Sequence, residues 1–442
     1  MICLKIIVAG AGHGGLAAAA LLAEAGHDVT LYEQKQRNQL GHDWEDRFTF
    51  DILLDITGEK ALPEDVWRFR GDCSFISPDY NTSIDIHYIN ENRQKIMWRK
   101  PLINMLIDNA EKKGVKLCFG KTVTAPVTDG KKVSGIVVDS QEILCDLVID
   151  ALGAFSALRT NLPDDFCIEK TPERGDVFYA YRAYFEKQDY DGNTGIPFEV
   201  YLCHNGEQGL SWCCTNDESV DILIGRIDPL TDDLIDFHIK KFRHSHPWTG
   251  SSVLNGGQRG IIPVRRPLAI MTADGYAAVG DSAFMTTPMN GMGIDLSLLA
   301  GKLLAQTVIK SGSASAQVLW QYNRDYHILY GAQTAKNESL KNSLLNLPPE
   351  GVSFLFSQRV VQASDLAGAG RNMNIGTLLG KFSRGMKNPG YFFKVLGGII
   401  IGSKLSKAFA EAPEKYDETA VKNWQKKVQE QALKVTRQND VF

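Results

Sequence analysis

The residues best placed to do chemistry are four glycines and an acid near the start of the chain. Gly10-Ala11-Gly12-His13-Gly14-Gly15 matches the pattern G-x-G-x-x-G, and Glu33 follows 18 residues after Gly15. Gly10 permits a tight turn, Gly12 removes the side chain that would block a pyrophosphate, and Gly15 lets a helix and a strand pack closely. Free backbone N–H groups and the positive end of a helix dipole favour an anion there, while Glu33 can accept hydrogen bonds from both hydroxyls of an adenosine ribose. The pattern alone is weak in a chain with 40 glycines. Its context is specific: a β-branched run at 5–9, the glycines, an Ala/Leu helix at 16–25, a second strand at 28–32 and then the acid. That order defines a dinucleotide site, with FAD and NAD both open.

Other candidate groups lie further on. The polar, aromatic stretch Gly41-His42-Asp43-Trp44-Glu45-Asp46-Arg47 is expected over the nucleotide or its reactive end, with a solvated loop leading into a helix near 50–56 as the alternative. Arg99 stands at the start of a helix, where its charge opposes the dipole; this points to an anionic partner such as a phosphate, with a surface salt bridge as the alternative. A buried strand at 146–150 runs into Ala151-Leu152-Gly153, a small-residue turn suited to close approach of a ligand. Gly280-Asp281 begins 265 residues after Gly15 and leads through Pro288, Gly291 and Gly293 into another helix. Asp281 could accept from a polyol hydroxyl, and the glycine amides could stabilise negative charge. His244 and His246 lack the supporting acids or thiols of a metal site, and the eight cysteines show no C-x-x-C spacing. No metal is expected.

These groups must be carried by a large fold. The 442 residues suffice for two or three domains, and 44% hydrophobic with 23% charged residues suits a soluble globular chain. A net charge of −4 gives no reason to expect nucleic acid. The uncharged run at 6–25 could pass for a signal or membrane helix, but its glycines argue against both, so a cytoplasmic location is expected. Residues 83–89 alternate as a half-buried strand, apolar residues from 102 to 110 recur at helical spacing, and 133–138 with 142–145 read as a hairpin. Strands at 178–185, 197–203, 209–214 and 220–227, then a polar helix at 230–244, read as an antiparallel substrate layer. Residues 355–366 and 417–435 read as helices; between them 391–402 is apolar but too short to span a bilayer. With Lys381, Arg384, Lys387, Lys394, Lys404 and Lys407 around it, that run could dock on an anionic membrane surface or form an entrance for a greasy substrate, or pack as an ordinary helix.

Taken together, the Gly10 to Gly15 fingerprint with Glu33, the Arg99 helix, the turn after Asp150 and the segment from Gly280 to Gly293 resemble the para-hydroxybenzoate hydroxylase superfamily of flavoproteins, and within it the geranylgeranyl reductase family. The resemblance implies FAD, an α/β fold with a discontinuous Rossmann-like FAD-binding domain, an antiparallel-sheet substrate domain and a helical C-terminal region. Expected boundaries are 1–75, 95–165 and 265–330 for FAD, 76–94 and 166–264 for the sheet, and 331–442 for the helices. It also implies transient binding of NAD(P)H or another electron donor, with no separate nicotinamide domain. Leu152-Gly153 stands where hydroxylases usually carry Asp-Gly, which favours the reductase branch. The stretch around Trp212 is similar to the reductases' Tyr-x-Trp-x-Phe-Pro motif, with Cys214 in place of Phe, and makes Trp212 and Cys214 substrate contacts. His42 matches the position of a flavin-proximal Cys and could serve as proton donor or substrate contact; Asp46 is the other candidate acid.

The activity expected is reduction of a carbon–carbon double bond of a small apolar substrate by reduced FAD. A monooxygenase on the same scaffold is the first alternative. A flavoprotein that binds a lipid without net redox change is the second.

Overall fold

The computed structural model describes residues 2–59, 67–68, 72–87, 94–192, 194–367 and 375–436. At its centre the β-branched run Lys5–Ala9 lies between Asp28–Glu33 and Leu147–Asp150, all parallel. Tyr276–Ala278 extends the sheet beyond Leu147–Asp150 and Lys116–Phe119 extends it beyond Asp28–Glu33, also in parallel. Thr272–Ala273 closes one edge antiparallel. Parallel strands need cover on both faces, and the central ones are largely apolar for that reason, with Ile6, Ile7, Val8, Leu147, Val148 and Ile149 buried. Helices His13–Glu24, Arg99–Lys112 and Ile294–Ser311 supply that cover, with Leu16, Leu22, Leu102, Leu106, Leu298 and Leu304 fully or almost fully buried. The expected hairpin is present as the antiparallel pair Lys132–Val138 and Gln141–Leu144, with Val123–Asp129 as a third strand.

The second layer is a seven-stranded sheet, ordered Thr249–Pro263, Val177–Lys187, Ser219–Arg226, Gly209–Thr215, Phe198–Leu202, Cys73–Ile76 and Ser83–Ile86. It is antiparallel except where Phe198–Leu202 meets Cys73–Ile76. Helix Asp232–Ser245 covers one face, burying Ile235, Ile239 and Phe242 against Ala183, Phe185, Ile222 and Ile224. Residues of the alternate register, including Arg182, Trp212, Cys214 and Asp221, face a cavity on the other side. The expected boundary at residue 75 falls inside Cys73–Ile76. Of the strand expected at 83–89, Ser83–Ile86 is present, and 88 and 89 lie outside the described residues. A small sheet of Glu45–Thr49, Gln94–Trp98 and Trp67–Arg68 bridges the two layers.

The C-terminal region is helical. Ala316–Tyr326 continues through a π-helical turn, His327–Gly331, into Ala332–Leu345, so the expected boundary at 330 falls within one helical run. The single helix expected over 355–366 is instead two, Pro349–Ser357 and Ala363–Ala367. Arg359, with φ of +53° between them, breaks the ladder. The apolar run of 391–402 lies in helix Pro389–Ala410, which buries Val395, Gly398, Gly402 and Leu405. This helix packs on Ala332–Leu345, where Ser339 Oγ donates to the Gly398 carbonyl at 2.8 Å. Among the described residues no helix is long and apolar enough to cross a membrane.

One buried acid ties distant segments of the nucleotide layer together. Asp150 accepts from Leu152 N at 3.1 Å, Ser156 Oγ at 2.5 Å, Ser282 Oγ at 2.9 Å and Tyr276 Oη at 2.7 Å. Asp150→Ala would leave three hydroxyls without their acceptor, so urea unfolding should show a loss on the order of 3 kcal/mol. An unchanged midpoint would remove Asp150 from this role.

Candidate functional site

A continuous cavity of about 1660 Å³ runs from the fingerprint, past the small bridging sheet and the inner face of the seven-stranded sheet, to the C-terminal helices. At one end lies the turn after strand Lys5–Ala9. Gly10 has φ of +94°, and a Cβ there would sit 2.5 Å from the Ala151 carbonyl oxygen, so no other residue fits. Gly12 and Gly14 line the cavity. Gly10 and Gly15, expected at the cofactor, do not: they act beneath it, through the turn and through close packing on Ala151 and Val8. Gly14 also has a packing task, since its Cβ would lie 2.7 Å from the Ser297 carbonyl of the neighbouring helix. Helix His13–Glu24 has Gly12 at its N-cap with no side-chain cap, which leaves its first amides available to an anion.

Glu33 is buried at the cavity wall, where its two carboxylate oxygens accept from Ala11 N and Lys35 N, each at 2.9 Å. Ala151, Leu152, Gly153, Asp281, Pro288, Gly291 and Gly293 line the same end, so three separated segments converge as expected. Thr286 Oγ1 donates to Asp281 at 3.2 Å; burial still raises the Asp281 carboxyl above its ordinary value. Helix Ile294–Ser311 begins at Gly293, again with no side-chain cap. His13 adds a feature the sequence did not suggest: its Nε2 is buried with no hydrogen-bond partner, and burial, then the Arg99 charge, lower its pKa to about 4. An orphaned ring nitrogen, two uncapped helix starts and a pinned carboxylate at one cavity end fit FAD.

Midway along the cavity, Arg99 Nε and Nη2 donate to the two Asp46 oxygens at 2.5 and 2.7 Å, and Arg99 Nη1 lies 3.2 Å from His42 Nδ1. Arg99 therefore has an anionic partner within this protein, in an inward-facing pair rather than the surface salt bridge weighed as the alternative to a phosphate. Trp44 stacks on His42 with ring centroids 4.3 Å apart and carries the Arg99 guanidinium 5.5 Å from its own centroid. Neither candidate acid is held in a proton-donating state at neutral pH. Burial, followed by the Arg99 and Lys35 charges, lowers His42 to about 4. For Asp46 burial acts upward, but the Arg99 charge and hydrogen bonds outweigh it and hold the carboxyl below its ordinary value.

On the sheet side, Arg182 Nε and Nη2 grip Asp221 at 2.9 and 2.7 Å, and its guanidinium lies 5.2 Å from the centre of the Trp212 ring. Trp212 Nε1 donates to Asp221 at 3.2 Å. Trp212 and Cys214 both line the cavity as expected, and burial, then the Asp221 charge, push the Cys214 thiol up to about 12, so it stays protonated. Arg182, Asp221 and Glu45 were not singled out from the sequence. The available signal was a charge set among apolar residues in the middle of Val177–Lys187, at Arg182, and near the start of Ser219–Arg226, at Asp221. Glu45 is half-buried on the cavity wall, and burial, then the Asp221 charge, raise its carboxyl to about 7. His246 is bonded to Glu199, with Nε2 to Oε2 at 2.7 Å.

The fold and this convergence of three segments define an FAD-binding flavoprotein. Residues 4–334, about three quarters of the chain, match the FAD binding domain family, and the chain belongs to that family. It is an FAD-dependent oxidoreductase. The digeranylgeranylglycerophospholipid reductase of Sulfolobus acidocaldarius is 22% identical over 446 residues, which cover 96% of each protein. Among solved structures, a geranylgeranyl bacteriochlorophyll reductase-like protein of Thermoplasma acidophilum has a TM-score of 0.68 at 18% identity, over 90% of this chain and all of that one. A triple mutant of the flavin-dependent brominase Bmp2 has a TM-score of 0.59 at 15% identity, over 89% of this chain and 98% of that one. These structural likenesses extend to the fold.

Two outcomes follow from this geometry. Glu33→Ala should lower FAD affinity about tenfold, read by fluorescence titration of the stripped protein, equivalent to about 1.4 kcal/mol. Asp46→Asn leaves Arg99 short of its counter-charge and should cost about 2 kcal/mol of stability at pH 7. Because the folded Asp46 pKa lies below its ordinary 3.8, that contribution is present above pH 3.8 and disappears as pH falls through the lower folded value. The difference between the two proteins in urea unfolding should close only in that acid range.

Proposed function

We propose that this protein reduces carbon–carbon double bonds of an isoprenoid or similarly apolar lipid chain. The observation that carries the reading is the continuity of the cavity: the wall that holds the fingerprint and Trp212 also holds the apolar side chains of Phe198, Leu202, Leu210, Val352, Leu355 and Phe356, as a lipid channel would. Such a channel suits a flexible hydrocarbon better than a compact polar ring. The similarity to an archaeal digeranylgeranylglycerophospholipid reductase supports the same substrate class. Reduced FAD, when bound, supplies the hydride. The chain's own residues bind the cofactor at Glu33, Asp281 and the fingerprint amides, exclude water with Trp44 and Trp212, and align the substrate along the sheet. NAD(P)H or another donor restores the reduced cofactor by transient binding.

The substrate's route favours a peripheral membrane contact. Asp365 lines the cavity and pairs with Lys381, next to exposed Phe382 and Met386. Exposed Phe393 follows on helix Pro389–Ala410, and Lys387, Lys404 and Lys407 are exposed nearby. Exposed aromatics among lysines suit an anionic lipid surface, from which a chain could enter the channel directly.

The test is anaerobic. Bound flavin is reduced, unsaturated isoprenoid lipids are added, and recovery of the oxidised spectrum is followed with mass analysis. Reoxidation without oxygen, with a product heavier by two hydrogens, is the expected result. Reoxidation only after air is admitted, with an oxygenated product, would replace the reading with a monooxygenase. For the membrane contact, Phe382→Ser combined with Phe393→Ser should reduce co-sedimentation with phosphatidylglycerol vesicles about tenfold while leaving FAD bound; equal sedimentation would exclude this surface.

A further inference from the structure

Strand Glu45–Thr49 contributes to the cavity wall, and successive residues of a strand point to opposite faces. Asp46 turns toward Arg99, on the side of His13. Glu45 turns the other way, to the seven-stranded sheet. Its backbone is held from that side twice: Tyr184 Oη lies 2.9 Å from Glu45 N, and Arg182 Nη1 donates to the Glu45 carbonyl at 2.6 Å. Its carboxyl, in contrast, makes no hydrogen bond or ion pair with the described residues. It stands half-buried on the cavity wall that also carries Trp212. A rigidly mounted carboxyl with an unengaged head, aimed into a substrate chamber, is built to meet a ligand atom.

We propose that Glu45 delivers the proton that completes reduction of the double bond. The inference rests on the reductase reading above. One alkene carbon receives a hydride, with its electron pair, from the reduced flavin. The π electrons then form the second C–H bond with the Glu45 proton, leaving a carboxylate that recovers its proton from water. The alkene gains the two electrons that the flavin loses, and no further oxidant or reductant is involved.

The surroundings agree with a donor. The ionisable groups facing Glu45 are Asp221, Arg182, Tyr184 and Cys214 from the sheet and Asp46 from its own strand. Burial and the Asp221 and Asp46 charges favour the protonated acid; Arg182 opposes them, but both arms of its fork are already committed to Asp221. The result, about 7, leaves the acid half protonated at neutrality, whereas Asp46 is ionised and His42 is neutral. A donor with a raised pKa is active below that value and loses a factor of about ten per pH unit above it.

The test uses FAD-bound wild type, Glu45→Gln and Glu45→Asp. Difference infrared titration should show a carboxyl protonating near pH 7 in wild type and missing from Glu45→Gln. In anaerobic single turnovers with an unsaturated isoprenoid, Glu45→Gln should reoxidise at least about 100-fold more slowly and lose the alkaline fall in rate, with Glu45→Asp partly restoring both. Flavin content and the rate of chemical reduction should match wild type. A Glu45→Gln enzyme within threefold of wild type, with the same pH profile, would overturn the inference and leave the reductase reading standing. A carboxyl that is fully ionised at pH 7 in the infrared titration would also overturn it. Failure of wild type to reoxidise with any alkene would overturn both.

Discussion

The nucleotide layer depends on how the Asp150 carboxylate is satisfied. A buried acid with four donors converging on it fixes everything those donors belong to. Leu152 N sets the turn that lines the cavity. Ser156 caps the short helix Ala157–Asn161 through Arg159 N at 3.1 Å. Tyr276 and Ser282 bring in the strand and turn more than a hundred residues later. Arg159 reinforces the junction, donating to the carbonyls of Lys170, Ala154 and Ser282. Since Gly10 packs against the Ala151 carbonyl, the first cofactor segment rests on the second, and the second on the third.

The cavity itself is organised by two arginine–aspartate pairs on either side of one strand. Arg99 with Asp46 and Arg182 with Asp221 are both bidentate, so each charge is matched where water is scarce. This neutralisation permits an apolar channel to begin next to four formal charges. It also leaves the Glu45 carboxyl, next to Asp46 on the same strand, without a bond to either arginine.

Much of this was legible in local sequence. The glycine fingerprint, the acid ending the second strand, and the change from two-residue to helical spacing after Trp98 are properties of short windows, and the corresponding elements are present. Trp212 and Cys214 share a cavity-facing register because they are two residues apart on a strand. What escaped depends on distance in space. Nothing near Arg99 announces that its partner is Asp46, 53 positions earlier. Choosing between Glu45 and Asp46 requires knowing which face of their strand meets the sheet. The fifteen-residue strand Thr249–Pro263 was not singled out because much of it is exposed and rich in glycine and polar residues, so it lacks the alternation that marked its neighbours. The break at Arg359 is set by tertiary packing of the flanking helices, against a local pattern that favours continuity.

The placement of Lys5–Ala9 in the middle of its sheet has a consequence for how the chain comes into being. Its neighbour on one side, Asp28–Glu33, follows almost at once, but Leu147–Asp150 on the other side comes some 140 residues later, and Tyr276–Ala278 beyond that. During synthesis at about 5–20 residues per second, the first βαβ unit leaves the ribosome on the order of tens of seconds before its sheet can be completed. Strand Cys73–Ile76 waits similarly for Phe198–Leu202. A nascent chain of this protein therefore carries an unpaired strand edge at Lys5–Ala9, and then a second at Cys73–Ile76, for the span between about residues 76 and 147, the stage at which edge-to-edge association is most open to it.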